Sequence, residues 1–192
     1  MGDGGSPLSP SAFQTDLWQR LAGYEIGPPD AAFTFAQRLA RENRWSADYA
    51  SRVLTEYKRF CWLACAAGHQ VTPSDAVDQA WHLHLTYSRD YWDRFCPQVL
   101  HQSLHHGPTA GGSQERTRYY DQYAQTLASY EAHFGAPAPF DVWPDARRRF
   151  VIDPRSVRVN PADVVILARG QAYGVAAAIG LAMIALLLTA IG

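Results

Sequence analysis

Lysine is almost missing from this chain: Lys58 is the only one among 17 basic residues, a bias that reads as GC-rich codon usage. Cysteine is scarce too. Cys61, Cys65 and Cys96 are too few and too odd in number for a disulfide framework, and a reducing compartment is the simpler setting. Neither sign of charge is in excess, with 17 basic residues against 18 acidic and a pI near 6.6. That excludes a nucleic-acid binder driven by a basic field, so no nucleic acid is expected as a partner. There is no phosphate loop, no Ser-His-Asp signature, no paired Cys-x-x-Cys and no internal repeat. Strand-like runs are also missing; only 157–159 and 164–167 are short extended candidates.

What is present is apolar and helical in pattern. Hydrophobic residues make up 47% of the chain, enough to build a core. Residues 1–11 are Gly, Ser and Pro with little to bury, and read as disordered. They have no signal-peptide character, although Gly2 and Ser6 fit the short myristoylation pattern. Phe13 to Leu21 reads as a short helix with Phe13, Leu17, Trp18 and Leu21 on one face. Asp30 is the expected cap of a second helix carrying Phe33, Phe35, Ala36 and Leu39. Ser46 caps a long helix over 47–67, which Gly68 ends. Thr72-Pro73-Ser74-Asp75 opens a helix expected to run from 73 to about 95, with Pro97 stopping it. After a His/Gly/Pro/Ser loop over 97–112, Ser113 caps a helix over 114–134 bearing Tyr120, Tyr123, Leu127, Tyr130 and Phe134. The expected fold is all-α: a soluble domain of about five helices over 12–144, a juxtamembrane linker over 145–171, and a C-terminal helix.

That last helix invites a membrane reading. Ala172 to Ile191 carries no charge, and at 1.5 Å per residue it matches the roughly 30 Å of a bilayer's hydrocarbon. Arg147, Arg148, Arg149, Arg155, Arg158 and Arg169 all precede it. The expectation is therefore a single-pass transmembrane helix over 172–191, with the lipid bilayer as partner and residues 1–171 on the cytoplasmic side.

Chemistry concentrates in the histidines. His82, His84, His101, His105 and His106 fall within a short stretch, split between a helix and the loop after it. Imidazole is the commonest transition-metal ligand. His82 and His84 point about 200° apart on a regular helix and do not easily share an ion, whereas Asp78 and His82 share a face. His84 falls on the stripe Val77, Trp81, His84, Ser88, Tyr91 and Phe95, which faces the core. Two arrangements follow. In one, Asp78 and His82 join His105 or His106 around a divalent ion such as zinc, with His84 a core group bonded to a tyrosine or a loop carbonyl. In the other, a local break at Trp81 recruits His84 and leaves Asp78 to orient His82. The candidate metal ligands are thus Asp78, His82, His84, His105 and His106. No catalytic residue is assigned. Cys61 and Cys65 read as core packing. Cys96 lies near the histidine loop, but the sequence shows no imidazole partner that would lower its pKa.

The run Val77-Asp78-Gln79-Ala80-Trp81-His82-Leu83-His84-Leu85, then Tyr91-Trp92, Phe95-Cys96, Leu104-His105-His106-Gly107-Pro108-Thr109 and Trp143-Pro144, resembles the glycine-rich domain-containing protein-like family, bacterial branch. The likeness covers about 45 to 144. Its matching positions are Asp78, Trp81, His82, His84, Tyr91, Cys96, His105, His106 and Pro108. His101 stands where that branch usually has glycine, and the glycine-rich tail is absent. The resemblance implies a small membrane-associated protein, and for its eukaryotic members roles in development and stress. Three functions remain in view. The first is a binding or scaffold module with a protein partner. The second is a metalloprotein with hydrolase chemistry. The third is a Cys96–His redox or transfer enzyme.

Overall fold

The computed structural model describes residues 12–107, 113–152, 165 and 169–191. They belong to two units, Met1–Asp153 and Pro154–Gly192. Residues 1–11, the strand candidate 157–159, and Pro108 to Gly112 of the histidine loop lie outside the described residues, as does all of 164–167 except Val165.

In the first unit the described elements are all helical: α1 (Ala12–Gly23), α2 (Phe35–Asn43), α3 (Ala47–Ala66), α4 (Asp75–Thr86), a π-helix (Asp90–Leu100), α5 (Ser113–Phe134) and a short π-turn (Arg148–Ile152). α3 is the hub, touching α1, α2, α4, α5 and the π-helix. It starts where Ser46 Oγ accepts the Tyr49 amide at 3.2 Å. It buries Ala50, Val53, Tyr57, Phe60 and Leu63, and each large apolar side chain stabilises the fold by roughly 1.5–3 kcal/mol. Phe13 departs from its expected face and is exposed, while Leu17 and Leu21 are buried.

Two helix starts differ from expectation. Thr34, not Asp30, caps α2: its hydroxyl accepts the Gln37 amide, and Gln37 Oε1 accepts the Thr34 amide at 2.8 Å. Both candidates are good cap residues; the reciprocal bond from a Gln at the third helical position selects Thr34. Ser74, not Thr72, caps α4, with its Oγ accepting the Val77 amide at 3.2 Å. Thr72 is spent elsewhere: it is buried, and its amide donates to Thr126 Oγ1 on α5 at 3.0 Å.

The continuous helix expected over 73–95 is broken. Thr86 Oγ1 donates to the Leu83 carbonyl at 2.6 Å, and the Tyr87 amide bonds back to His84 at 2.9 Å, tightening the last turn. Tyr87 then leaves helical geometry, at φ −84° and ψ 54°. Its ring fills the space beside Gly27, which has φ +87° and lies 3.1 Å from that ring at its missing Cβ. A side chain at Gly27 would be strained in backbone and in space. The chain restarts as a π-helix, whose wider winding holds Pro97 inside it instead of ending before it. His101, in the left-handed region at φ 58°, closes it.

After α5 the chain folds back on α3. Trp143 is buried, and its indole donates to Glu56 Oε2 at 3.0 Å. Tyr123 OH donates to the Pro144 carbonyl at 2.7 Å. Ala146 is buried and Phe150 packs on Tyr120 and Tyr123, all within the unit that ends at Asp153.

The second unit contains α6 (Arg169–Ile191). Among the described residues no helix is long and apolar enough to cross a membrane. This overturns the expected transmembrane helix over 172–191, and with it the single-pass placement and the cytoplasmic side deduced from the arginines. The described side chains of α6, positions 170 to 184, hold Gln171 and are more than half alanine and glycine, which offer little apolar surface to lipid. The α6 side chains at 169 and 185–191 lie outside the described ones.

Candidate metal centre

α4 carries two polar clusters on opposite sides. On the first side Asp78 and His82, one helical turn apart, bring Asp78 Oδ2 to 3.8 Å from His82 Nδ1. His106 reaches them from the loop after the π-helix, its Nε2 lying 2.9 Å from Asp78 Oδ1. The two imidazole rings are 4.4 Å apart between centroids. One ligand atom from each of Asp78, His82 and His106 lies within 4.8 Å of the others. The site is open: half of the His82 side chain is exposed, and Asp78 and His106 are half-buried. One carboxylate oxygen and two imidazole nitrogens suit zinc, iron or manganese, and three protein ligands leave positions for water.

The third ligand comes from the irregular loop 101–107, so something must hold that loop. Tyr91 OH donates to the Leu104 carbonyl at 2.5 Å and accepts the Trp81 indole N–H at 2.9 Å. Trp81 is buried, and its ring meets His106 at 4.5 Å, edge to face.

His84 heads the second cluster and is fully buried. Its Nε2 is 3.0 Å from Asp90 Oδ2 and its Nδ1 is 2.9 Å from Tyr57 OH. Asp90 also accepts Tyr24 OH at 2.8 Å and Arg94 Nη1 at 2.8 Å. Burial pulls the His84 pKa down, outweighing the hydrogen bond and charge of Asp90 that favour its protonated form. For Asp90 the balance reverses. Burial pushes its pKa up, but hydrogen bonds from His84 and Tyr24, with the charge of Arg94, outweigh it and hold the carboxyl below its usual range. A carboxylate only accepts, so neutral His84 carries its proton on Nε2 for Asp90, and Nδ1 accepts from Tyr57. Both ring nitrogens are spent.

The structure therefore brings together Asp78, His82 and His106, and leaves two candidates apart. His84 turns to the core because α4 is unbroken at Trp81. His105 is exposed, with its ring 5.3 Å from Trp92. Burial raises the pKa of the Cys61, Cys65 and Cys96 thiols, which makes poor nucleophiles of them. The residues that sequence reasoning missed are Asp90, Tyr24 and Tyr91 in their bonding roles. Asp90 is six positions after His84, which on a continuous helix would face away from it; the break at Tyr87 reverses that. Tyr57 is the tyrosine that one of the two arrangements allowed for.

Away from these clusters, Arg52, Thr55, Glu56, Arg59, Tyr130, Phe134, Pro137 and Pro139 line a cleft of about 410 Å³ between α3 and the end of α5. Glu56 is buried beneath it, 3.0 Å from Arg59 Nη1. The Arg59 guanidinium lies over the rings of Tyr130 and Phe134.

A family model described as UCP032817-like matches residues 32–132, spanning α2 to most of α5 and therefore both histidine clusters. No curated protein and no solved structure matches. The match covers more than half of the 192 residues and speaks of neither a glycine-rich domain nor a membrane branch. The chain belongs to the UCP032817-like family.

Proposed function

We propose that this chain is a helical metal-binding protein that holds one divalent transition ion, zinc being the first choice, with Asp78, His82 and His106. The observation that carries the reading is the approach of three potential ligand atoms to within 4.8 Å of one another. Asp78 sits between the two imidazoles, 2.9 Å from one and 3.8 Å from the other, so one ion would replace one hydrogen bond and one longer contact with three coordinate bonds. The exposed rim leaves room for a water on the ion, and activation of that water is how such a site would support hydrolysis. The same reading takes up the resemblance to the glycine-rich domain-containing protein-like family, whose Trp81-His82-Leu83-His84 and His105-His106-Gly107 landmarks frame the site.

The test is metal content and thermal shift on the full chain purified without chelator. Binding at 100 times Kd raises stability by about 2.7 kcal/mol. Zinc should raise the melting temperature, and His82→Ala and His106→Ala should each abolish the gain. Absence of stoichiometric metal, with no shift from zinc, manganese, iron or nickel, would end the reading.

A second reading, a binding or scaffold module with a protein partner, draws on the 410 Å³ cleft. Its mix of Arg52, Arg59, Phe134 and prolines suits an apolar segment carrying an acid. Short acidic peptides with one aromatic residue should then bind the wild-type chain, and Arg59→Ala should weaken them; no binding across such a set would remove the reading.

A further inference from the structure

The third ligand of the proposed ion stands on a loop with no regular structure, yet that loop is fastened at one backbone carbonyl. The Leu104 carbonyl accepts Tyr91 OH at 2.5 Å. His106 is two positions further on. The same Tyr91 oxygen accepts the Trp81 indole at 2.9 Å, and Trp81 lies on α4 next to His82 with its ring against His106. One hydroxyl thus ties the helix that offers Asp78 and His82 to the loop that offers His106.

We infer that Tyr91 is a positioning residue for the metal site, a latch that holds His106 within reach of the ion. The inference rests on the metal-binding reading. The Tyr91 side chain does not touch the ion; it fixes backbone that would otherwise have to be ordered when metal binds. Outer partners of this kind are worth about 10- to 100-fold in metal affinity.

The experiment is a calorimetric titration of the full chain with zinc, repeated with cobalt(II) for its visible spectrum. Tyr91→Phe removes one hydroxyl and keeps the ring. Trp81→Phe removes the indole N–H that bonds to the same hydroxyl and keeps an aromatic ring. Tyr57→Phe is the control, because it takes a buried hydroxyl from His84 without touching the loop. Tyr91→Phe should bind about 10- to 100-fold more weakly. Trp81→Phe should lose part of that, and Tyr57→Phe should bind like wild type. If His106→Ala abolishes binding while Tyr91→Phe titrates like wild type, the latch is wrong and the metal site stands. If wild type binds neither ion, both fall. If Tyr91→Phe gives no cooperative melt, Trp81→Phe decides: wild-type affinity there overturns the inference.

Discussion

His82 and His84 stand two residues apart on α4 and live in different solvents. His82 keeps half of its side chain in water and has one long contact, 3.8 Å to Asp78. His84 has no exposure, and both of its nitrogens are bonded within 3.0 Å. The helix turns about 200° between them, and that rotation alone assigns one to a surface and the other to a core. What differs is spare bonding capacity. A buried imidazole with Tyr57 and Asp90 has none left for a ligand, and Asp90 with Tyr24 and Arg94 has little. Asp78, His82 and His106 hold only each other, at a surface that an ion can reach.

The comparison breaks most sharply at Trp81, which touches both sides. It is buried against Phe60, donates to Tyr91 and packs on His106. Trp81→Ala should cost about 3–5 kcal/mol in urea unfolding and weaken zinc binding as well. An unchanged midpoint would contradict its place in the core. Next comes His84→Ala, which leaves a cavity and strips partners from Tyr57 and Asp90. Its expected cost is roughly 2–4 kcal/mol. His82→Ala in the metal-free chain should stay within about 0.5 kcal/mol of wild type. Equal losses from the two would erase the distinction.

Acid should separate the sides too. Both His84 and Asp90 have folded-state pKa values below their ordinary ones. In each case the unfolded chain takes up the proton first, so stability is present above the unfolded pKa and is lost as pH falls below it. Melts from pH 8 to pH 3 should therefore show a loss starting below about 6.5, from His84, and a further loss below about 4, from Asp90. His84→Gln should remove the first loss and keep the second. A first loss unchanged in that variant would mean that another group is titrating. The smallest expected effect is at His105, whose ring lies against Trp92. His105→Ala should change zinc affinity less than about twofold, and a tenfold loss would make it a ligand.

Much of this was legible in the residues. Ser46, the stripe from Val53 to Phe60 and Gly68 specify α3 without help from anything distant. The Asp78–His82 turn and the inward position of His84 follow from helical spacing. The break after Thr86 did not follow, because it depends on a ring and a glycine sixty positions apart, Tyr87 on Gly27. Missing that break hid Asp90 from His84. The start of α4 was misplaced because Thr72 has a tertiary partner, Thr126, that outweighs its local role as a cap. Which loop histidine faces Asp78 was open because Leu104 is fastened from afar by Tyr91. In the last helix the absence of charge points to a membrane span, whereas no described helix is long and apolar enough for one.

The most direct test is X-ray absorption at the zinc edge on the full chain loaded with one equivalent of zinc. The expected environment is nitrogen and oxygen only, near 2.0–2.2 Å, with the outer-shell pattern of two imidazoles. His106→Ala should reduce that pattern to one. Sulfur near 2.3 Å, or a wild-type pattern with fewer than two imidazoles, would contradict a site made of Asp78, His82 and His106.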